Sequence, residues 1–157
     1  MKISSVLPRL LALGLGALAL GAVASPAEAR TVSALTGGAN GGDQACLEIW
    51  YGTMTNRCSH TVSFDWPLVV DTAGTHYVTV TAYGASSSQN VGCRAEGLNK
   101  ESTTVWYSNG GAYIYLPRFG AAADIVTSGA YTPSGGQILV NCQMNVGSRI
   151  QVANWTP

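Results

Sequence analysis

Charge is scarce in this sequence, and what there is cancels. Eight lysines and arginines meet eight aspartates and glutamates in 157 residues, for a formal net charge of zero. From residue 30 onward six basic residues face seven acidic ones, and Lys100 is the one lysine. Such a surface has no basic stripe to follow a phosphate backbone, so no nucleic-acid partner is expected. Histidine is also short, with His60 and His76 alone, and neither G-x-S-x-G nor S-x-x-K occurs. A triad through either histidine would have to assemble in space. The carboxylates stand singly in turns or on polar strand faces, which argues against a glycosidase pair. The sequence lacks C-x₂-C, C-x₄-C and D-x-D-x-D spacings, so no zinc or calcium site and no cofactor is expected. No helix-period segment of ordinary length is present, and no apolar run reaches the length of about 20 residues that a membrane span needs.

What is present begins with a leader. Lys2 and Arg9 precede an apolar stretch, Leu10 to Val23, and Ala27-Glu28-Ala29 supplies a small-x-small cleavage site. Residues 1–29 read as a secretory signal peptide and residues 30–157 as a single domain. The expected location is extracellular or periplasmic, without a membrane span. All four cysteines, Cys46, Cys58, Cys93 and Cys142, lie after the leader. Export through an oxidising compartment makes two disulfides the expected state. Three pairings are possible. Cys46–Cys58 with Cys93–Cys142 is favoured, because the first closes a short loop and the second joins two strands that each carry an inward-looking cysteine.

Period-two alternation then recurs along the chain. Val62, Phe64 and Trp66 share a face. So do Val78, Val80 and Ala82 in the long run Thr75–Tyr83, joined by His76. Val91, Cys93 and Ala95 form a third such set and Ile138, Val140 and Cys142 a fourth. Cys46–Tyr51 and Ile150–Trp155 are further strand candidates, the first with a mixed face carrying Cys46, Glu48 and Trp50. Residues 37–43 read as a flexible glycine-rich loop, and 118–128 are ambiguous: Ala121–Val126 could start a short helix, but Gly120 and Gly129 bracket it and the run is too short to be stable alone. About eight short strands separated by turn signals predict an all-β, antiparallel β-sandwich stapled by disulfides.

The strongest local signal is Thr103–Leu116. Asn109-Gly110 suits a two-residue type I′ turn, whose central residues both need positive φ. A hairpin closed there pairs Trp106 with Tyr113 and Val105 with Ile114. Val105, Ile114 and Leu116 would then face the core, leaving Trp106, Tyr113 and Tyr115 together as an aromatic platform. The competing reading covers that platform with another segment, such as the glycine-rich stretch near the N-terminus. Exposed aromatic rings on a rigid sheet would stack on sugar rings or anchor a protein contact.

Several short elements carry a resemblance. Tyr51-Gly52 with Asn56, Pro67-Leu68 with Asp71, Val78 with Val80, Val91 with Cys93, a strand ending at Cys142, and Ser148 with Ile150 occur in that order. The chain resembles a group of small, uncharacterised secreted bacterial proteins across most of its length. It departs from them at Trp66, where that group commonly has a cysteine before the Pro-Leu element. The resemblance implies no catalytic residues. The expected function is a non-enzymatic surface or extracellular interaction module, with a glycan or an extracellular protein as partner. The alternative is a small secreted hydrolase or hydrolase inhibitor whose site is built from loops.

Overall fold

The computed structural model describes residues 29–156. The leader read from the sequence lies outside them, apart from Ala29. Among the described residues fourteen strands follow one another. The first five are β1 (Arg30–Ser33), β2 (Gly38–Ala39), β3 (Leu47–Trp50), β4 (Thr53–Asn56) and β5 (Val62–Leu68). Next come β6 (Gly74–His76), β7 (Val78–Tyr83), β8 (Val91–Leu98), β9 (Val105–Tyr107) and β10 (Ile114–Tyr115). The chain closes with β11 (Ala123–Val126), β12 (Ala130–Thr132), β13 (Gln137–Met144) and β14 (Arg149–Trp155). Among the described residues the helical turns are all 3₁₀, and no helix is long and apolar enough to cross a membrane.

The strands form an antiparallel β-sandwich. The front sheet runs β11-β7-β14-β4-β3, with β1 also on β14, and the back sheet runs β10-β8-β13-β5-β2, with β9 also on β8. Strands β12 and β6 make a small third sheet. The four alternating sets named above point inward as expected. Val62, Phe64, Trp66, Val78, Val80, Ala82, Val91, Cys93, Ala95, Ile138, Val140 and Cys142 are all fully buried. Phe64 and Trp66 meet edge to face with ring centroids 5.9 Å apart. An indole can sit in such a core only if its N–H finds an acceptor. Trp66 Nε1 donates to Thr36 Oγ1 at 2.8 Å, and Trp155 Nε1 to the Val69 carbonyl at 2.8 Å.

Both favoured disulfides are present, Cys46–Cys58 and Cys93–Cys142. Cys93 and Cys142 are direct neighbours on β8 and β13, buried between the sheets. The first bridge ties the entry of β3 to the loop after β4.

The Thr103–Leu116 hairpin does not form. Asn109 and Gly110 do take positive φ, 47° and 61°, as the turn signal requires. Yet β9 and β10 each pair with β8, not with each other: Tyr107 opposes Glu96 and Tyr115 opposes Gly92. They are two pieces of one interrupted edge strand, with Ser108–Gly111 looped out between them. Hydrogen bonds to β8 explain the preference. The buried Ser108 hydroxyl accepts from the Ala95 N–H at 2.9 Å, standing in for a ladder carbonyl. Arg94 reaches across to donate to the Gly111 carbonyl at 3.0 Å. Turn chemistry supplied the local dihedrals, but the longer β8 edge captured both arms.

Three smaller corrections follow from the same competition. The run Thr75–Tyr83 is split, with β6 pairing β12 and β7 entering the front sheet. Residues 118–128 include the strand β11 and no helix. The glycine-rich segment 37–43 is tied down, β2 pairing β5 and the Ala39 N–H donating to Gln44 Oε1 at 2.8 Å.

Candidate functional site on the front sheet

A tight two-residue hairpin does occur, at Tyr51-Gly52. Trp50 opposes Thr53, and the two loop residues have φ of 44° and 80°. Positive φ is uncommon for tyrosine and natural for glycine. Ser33 steadies the turn by donating its hydroxyl to the Gly52 carbonyl at 3.0 Å. The hairpin carries its aromatics into solvent: Trp50 is 66% exposed and Tyr51 92%. Their rings pack edge to face at 5.1 Å, which orients the indole without covering it.

Beneath Trp50 lies a groove of about 410 Å³ on the outer face of the front sheet. Its logic is a cross-strand row. Tyr83 opposes Arg149, Arg149 opposes Thr55, and Thr55 opposes Glu48. At about 4.8 Å per strand this row spans roughly 14 Å. Alternation places Trp50 on the same face, two residues beyond Glu48. Arg57 donates to Glu48 Oε2 from Nε at 2.7 Å, with its second guanidinium nitrogen 2.6 Å from the same oxygen. The Arg149 guanidinium carbon sits 4.1 Å from the Tyr83 ring centroid. Among the described residues no carboxylate lies within ion-pair distance of Arg149 and no acceptor takes its side-chain hydrogen bonds.

The end of the groove is fixed by a buried asparagine. Asn56 Nδ2 donates to the carbonyls of His60 at 2.9 Å and Met144 at 2.7 Å, and its Oδ1 accepts from the Cys58 N–H at 2.8 Å. Its own N–H donates to the Ser148 carbonyl, and its carbonyl accepts from Gly147. Through side chain and backbone together, this one residue locks the Arg57 loop to the end of β13 and to the 145–148 turn that lines the groove. Gly147 has φ of 79°, a left-handed conformation that favours glycine.

The aromatic platform expected around residues 106–115 is rearranged. Trp106 opposes Gly97 and packs edge to face on Tyr131, centroids 5.6 Å apart. It does not share a face with Tyr113 and Tyr115, because the looped-out segment changes the register between the two arms. Tyr107 takes its place. The Arg94 guanidinium lies 4.8 Å from the Tyr107 ring centroid and 4.6 Å from that of Tyr113, and Nε donates to Glu96 at 2.8 Å. The Tyr113 hydroxyl donates to Asn141 Oδ1. Asn141 in turn donates to Ser63 at 2.9 Å and Asp65 at 2.5 Å. Tyr115 lies over Gly92, where a Cβ would come within 2.5 Å of the ring. Burial raises the Tyr113 hydroxyl above the usual tyrosine value, with Arg94 pulling against it and the Glu96 and Asp65 carboxylates adding to the rise. The glycine-rich segment does not cover this face, since β2 lies at the opposite edge of the back sheet.

Neither histidine meets a serine hydroxyl among the described residues. His60 Nε2 is 3.1 Å from Asp43 Oδ1 on an exposed loop. The buried His76 has its ring nitrogens 2.9 and 3.0 Å from the carbonyls of Thr156 and Thr72. Asp43, Cys46 and Cys58 cluster within 4.8 Å. Both sulfurs are bonded to each other, so they offer no thiolate to a metal.

The sequence missed the groove because its row joins residues 48, 55, 83 and 149. One signal was present: Glu48 and Trp50 share the mixed face of their strand.

No protein-family model matches the chain, and no curated protein is similar to it in sequence. Solved structures show similarity in fold. One is the C-terminal CBM6 of LamC, a marine laminarinase from Zobellia galactanivorans, 10% identical over 83% of this chain and 100% of that one, with a TM-score of 0.53. Another contains the CBM22-1 and GH10 modules of Clostridium thermocellum endo-1,4-β-D-xylanase 10B complexed with xylohexaose. It is 11% identical over 83% of this chain and 24% of that one, with a TM-score of 0.46. The first likeness agrees with the β-sandwich built above from register and burial.

Proposed function

We propose that the protein is an exported, non-enzymatic module that binds glycans through the front-sheet groove. The observation that carries this reading is Trp50, an indole two-thirds exposed on a short hairpin above a polar groove walled by strand residues. A flat ring held this way presents a C–H-stacking surface to a sugar with little entropy left to lose. Thr53, Thr55 and the flanking charged groups supply hydrogen-bonding partners for hydroxyls. The fold is shared with the CBM6 of a laminarinase, which supports the architecture, while the groove chemistry supports the ligand class. Two disulfides and the leader read at residues 1–29 support export.

Affinity electrophoresis through gels containing laminarin, xylan or polygalacturonate tests the proposal. At least one polymer should retard the wild type, and Trp50→Ala should migrate freely in it. Unretarded migration of the wild type in all three would defeat the glycan reading. A second contact surface is proposed at Tyr113 and Tyr115, where Tyr115 is 48% exposed. Tyr115→Ala in the same gels separates the two surfaces.

A further inference from the structure

Resting on the glycan reading, we infer that the groove selects an anionic glycan, and specifically a uronate whose carboxylate is taken by Arg149. Three observations converge. First, Arg149 is half-buried on a strand that lines the same groove as the exposed Trp50, two strands away, and no side-chain hydrogen bond from its guanidinium is met among the described residues. A half-buried guanidinium whose donors meet no protein acceptor can exchange water for a carboxylate in the groove. Second, its neighbour is not in competition for that role. Arg57 is already neutralised by Glu48 through two contacts to one carboxylate oxygen. The groove therefore carries one uncompensated positive charge. Third, the Arg149 guanidinium lies over the Tyr83 ring, 4.1 Å from its centroid, a contact that restrains the fork. A planar fork held in place matches a planar carboxylate with two parallel hydrogen bonds, which a neutral hydroxyl cannot reciprocate.

The division of labour is then clear. Trp50 stacks on the ring of one sugar and Arg149 reads a carboxylate farther along the bound chain, two strands away. At the far end of the same row Arg57 is already paired with Glu48 and offers a second carboxylate no free partner, so the groove favours one carboxylate at one position over a dense polyanion.

The experiment compares polygalacturonate with its fully methyl-esterified form, which keeps the backbone and loses the charge. The wild type should bind the acid polymer at least about tenfold more tightly, the ratio expected when one charge-assisted pair is lost. Arg149→Gln should lose that factor on the acid polymer and bind the ester as the wild type does. Arg149→Lys, which keeps charge without the fork, should fall between them. Trp50→Ala should weaken both. Unchanged thermal unfolding of each variant confirms that the sandwich is intact. Equal wild-type binding to acid and ester would overturn the uronate assignment while leaving a glycan groove in place. Dextran sulfate bound as tightly as polygalacturonate would overturn it as well, by showing unselective attraction to polyanions. Binding to none of these polymers, nor to laminarin or xylan, would remove the underlying reading itself.

Discussion

The two outer faces of the sandwich use the same ingredients to opposite ends. Each places an arginine against tyrosine on the solvent side of a sheet. On the back sheet Arg94 lies between Tyr107 and Tyr113, is paired with Glu96, and donates to the Gly111 carbonyl. On the front sheet Arg149 has one tyrosine, no carboxylate partner among the described residues, and an open groove beside it. The first arginine is consumed by the fold and the second is left available. Residue type alone does not mark a binding surface; the tally of partners does.

Removal of the two arginines should break the symmetry most sharply. Arg94→Ala strands the Glu96 carboxylate, which is 9% exposed, and frees the looped-out segment it holds. A loss of about 3 kcal/mol in denaturant unfolding is expected, the scale for breaking a largely buried ion pair. If the cost were instead a few tenths, the back face would be as open as the front.

Tyr113 extends the comparison to pH. Its hydroxyl is raised in the folded protein, chiefly by burial, so above the ordinary tyrosine value the unfolded chain releases this proton first. Stability should accordingly be fully present below that value and decline as pH rises through the folded one. Tyr113→Phe should flatten that decline and remove a late-titrating component from the tyrosinate absorbance of the wild type. Wild-type and variant titrations that coincide in shape at the alkaline end would contradict the burial described.

The smallest effect belongs to the front face. Arg149→Ala should cost under about 1 kcal/mol, since only a partly exposed cation–π contact is lost. Trp50→Ala should stay within about 0.5 kcal/mol, as surface changes usually do. Both are measured by the same unfolding curves, and a large loss at either position would make the groove a structural feature.

These contrasts also explain what could be read in advance. Inward faces such as Val62-Phe64-Trp66 and Ile138-Val140-Cys142 were legible because burial on one side imposes a two-residue period on the chain itself. The disulfides followed from compartment and from that same inward placement of Cys93 and Cys142. The Asn109-Gly110 turn was read correctly in its dihedrals and wrongly in its consequence. A dipeptide specifies φ, while the choice of pairing partner was made by Ser108 and Arg94 bonding to β8. Strands β4 and β12 are short and partly polar, and they carry little periodicity to read. The Tyr51-Gly52 turn escaped notice because its first residue is one that ordinarily avoids positive φ. Arg149 gave no sign, since its lack of a partner is a property of the assembled row and of nothing near it in sequence.

The interrupted strand along β8 has one more consequence, for how the protein behaves in a crowd of its own copies. A neighbouring molecule adds itself to a sheet by zipping along an unbroken row of N–H and C=O groups. Here β10 offers two residues, β9 three, β2 two, and β3 and β11 four each at the margins of the main sheets. The kink at Asn109-Gly110 divides what would be the longest of these rows into pieces too short to template a partner. A turn that fails to make a hairpin thereby helps to keep strand-rich molecules from growing into one another.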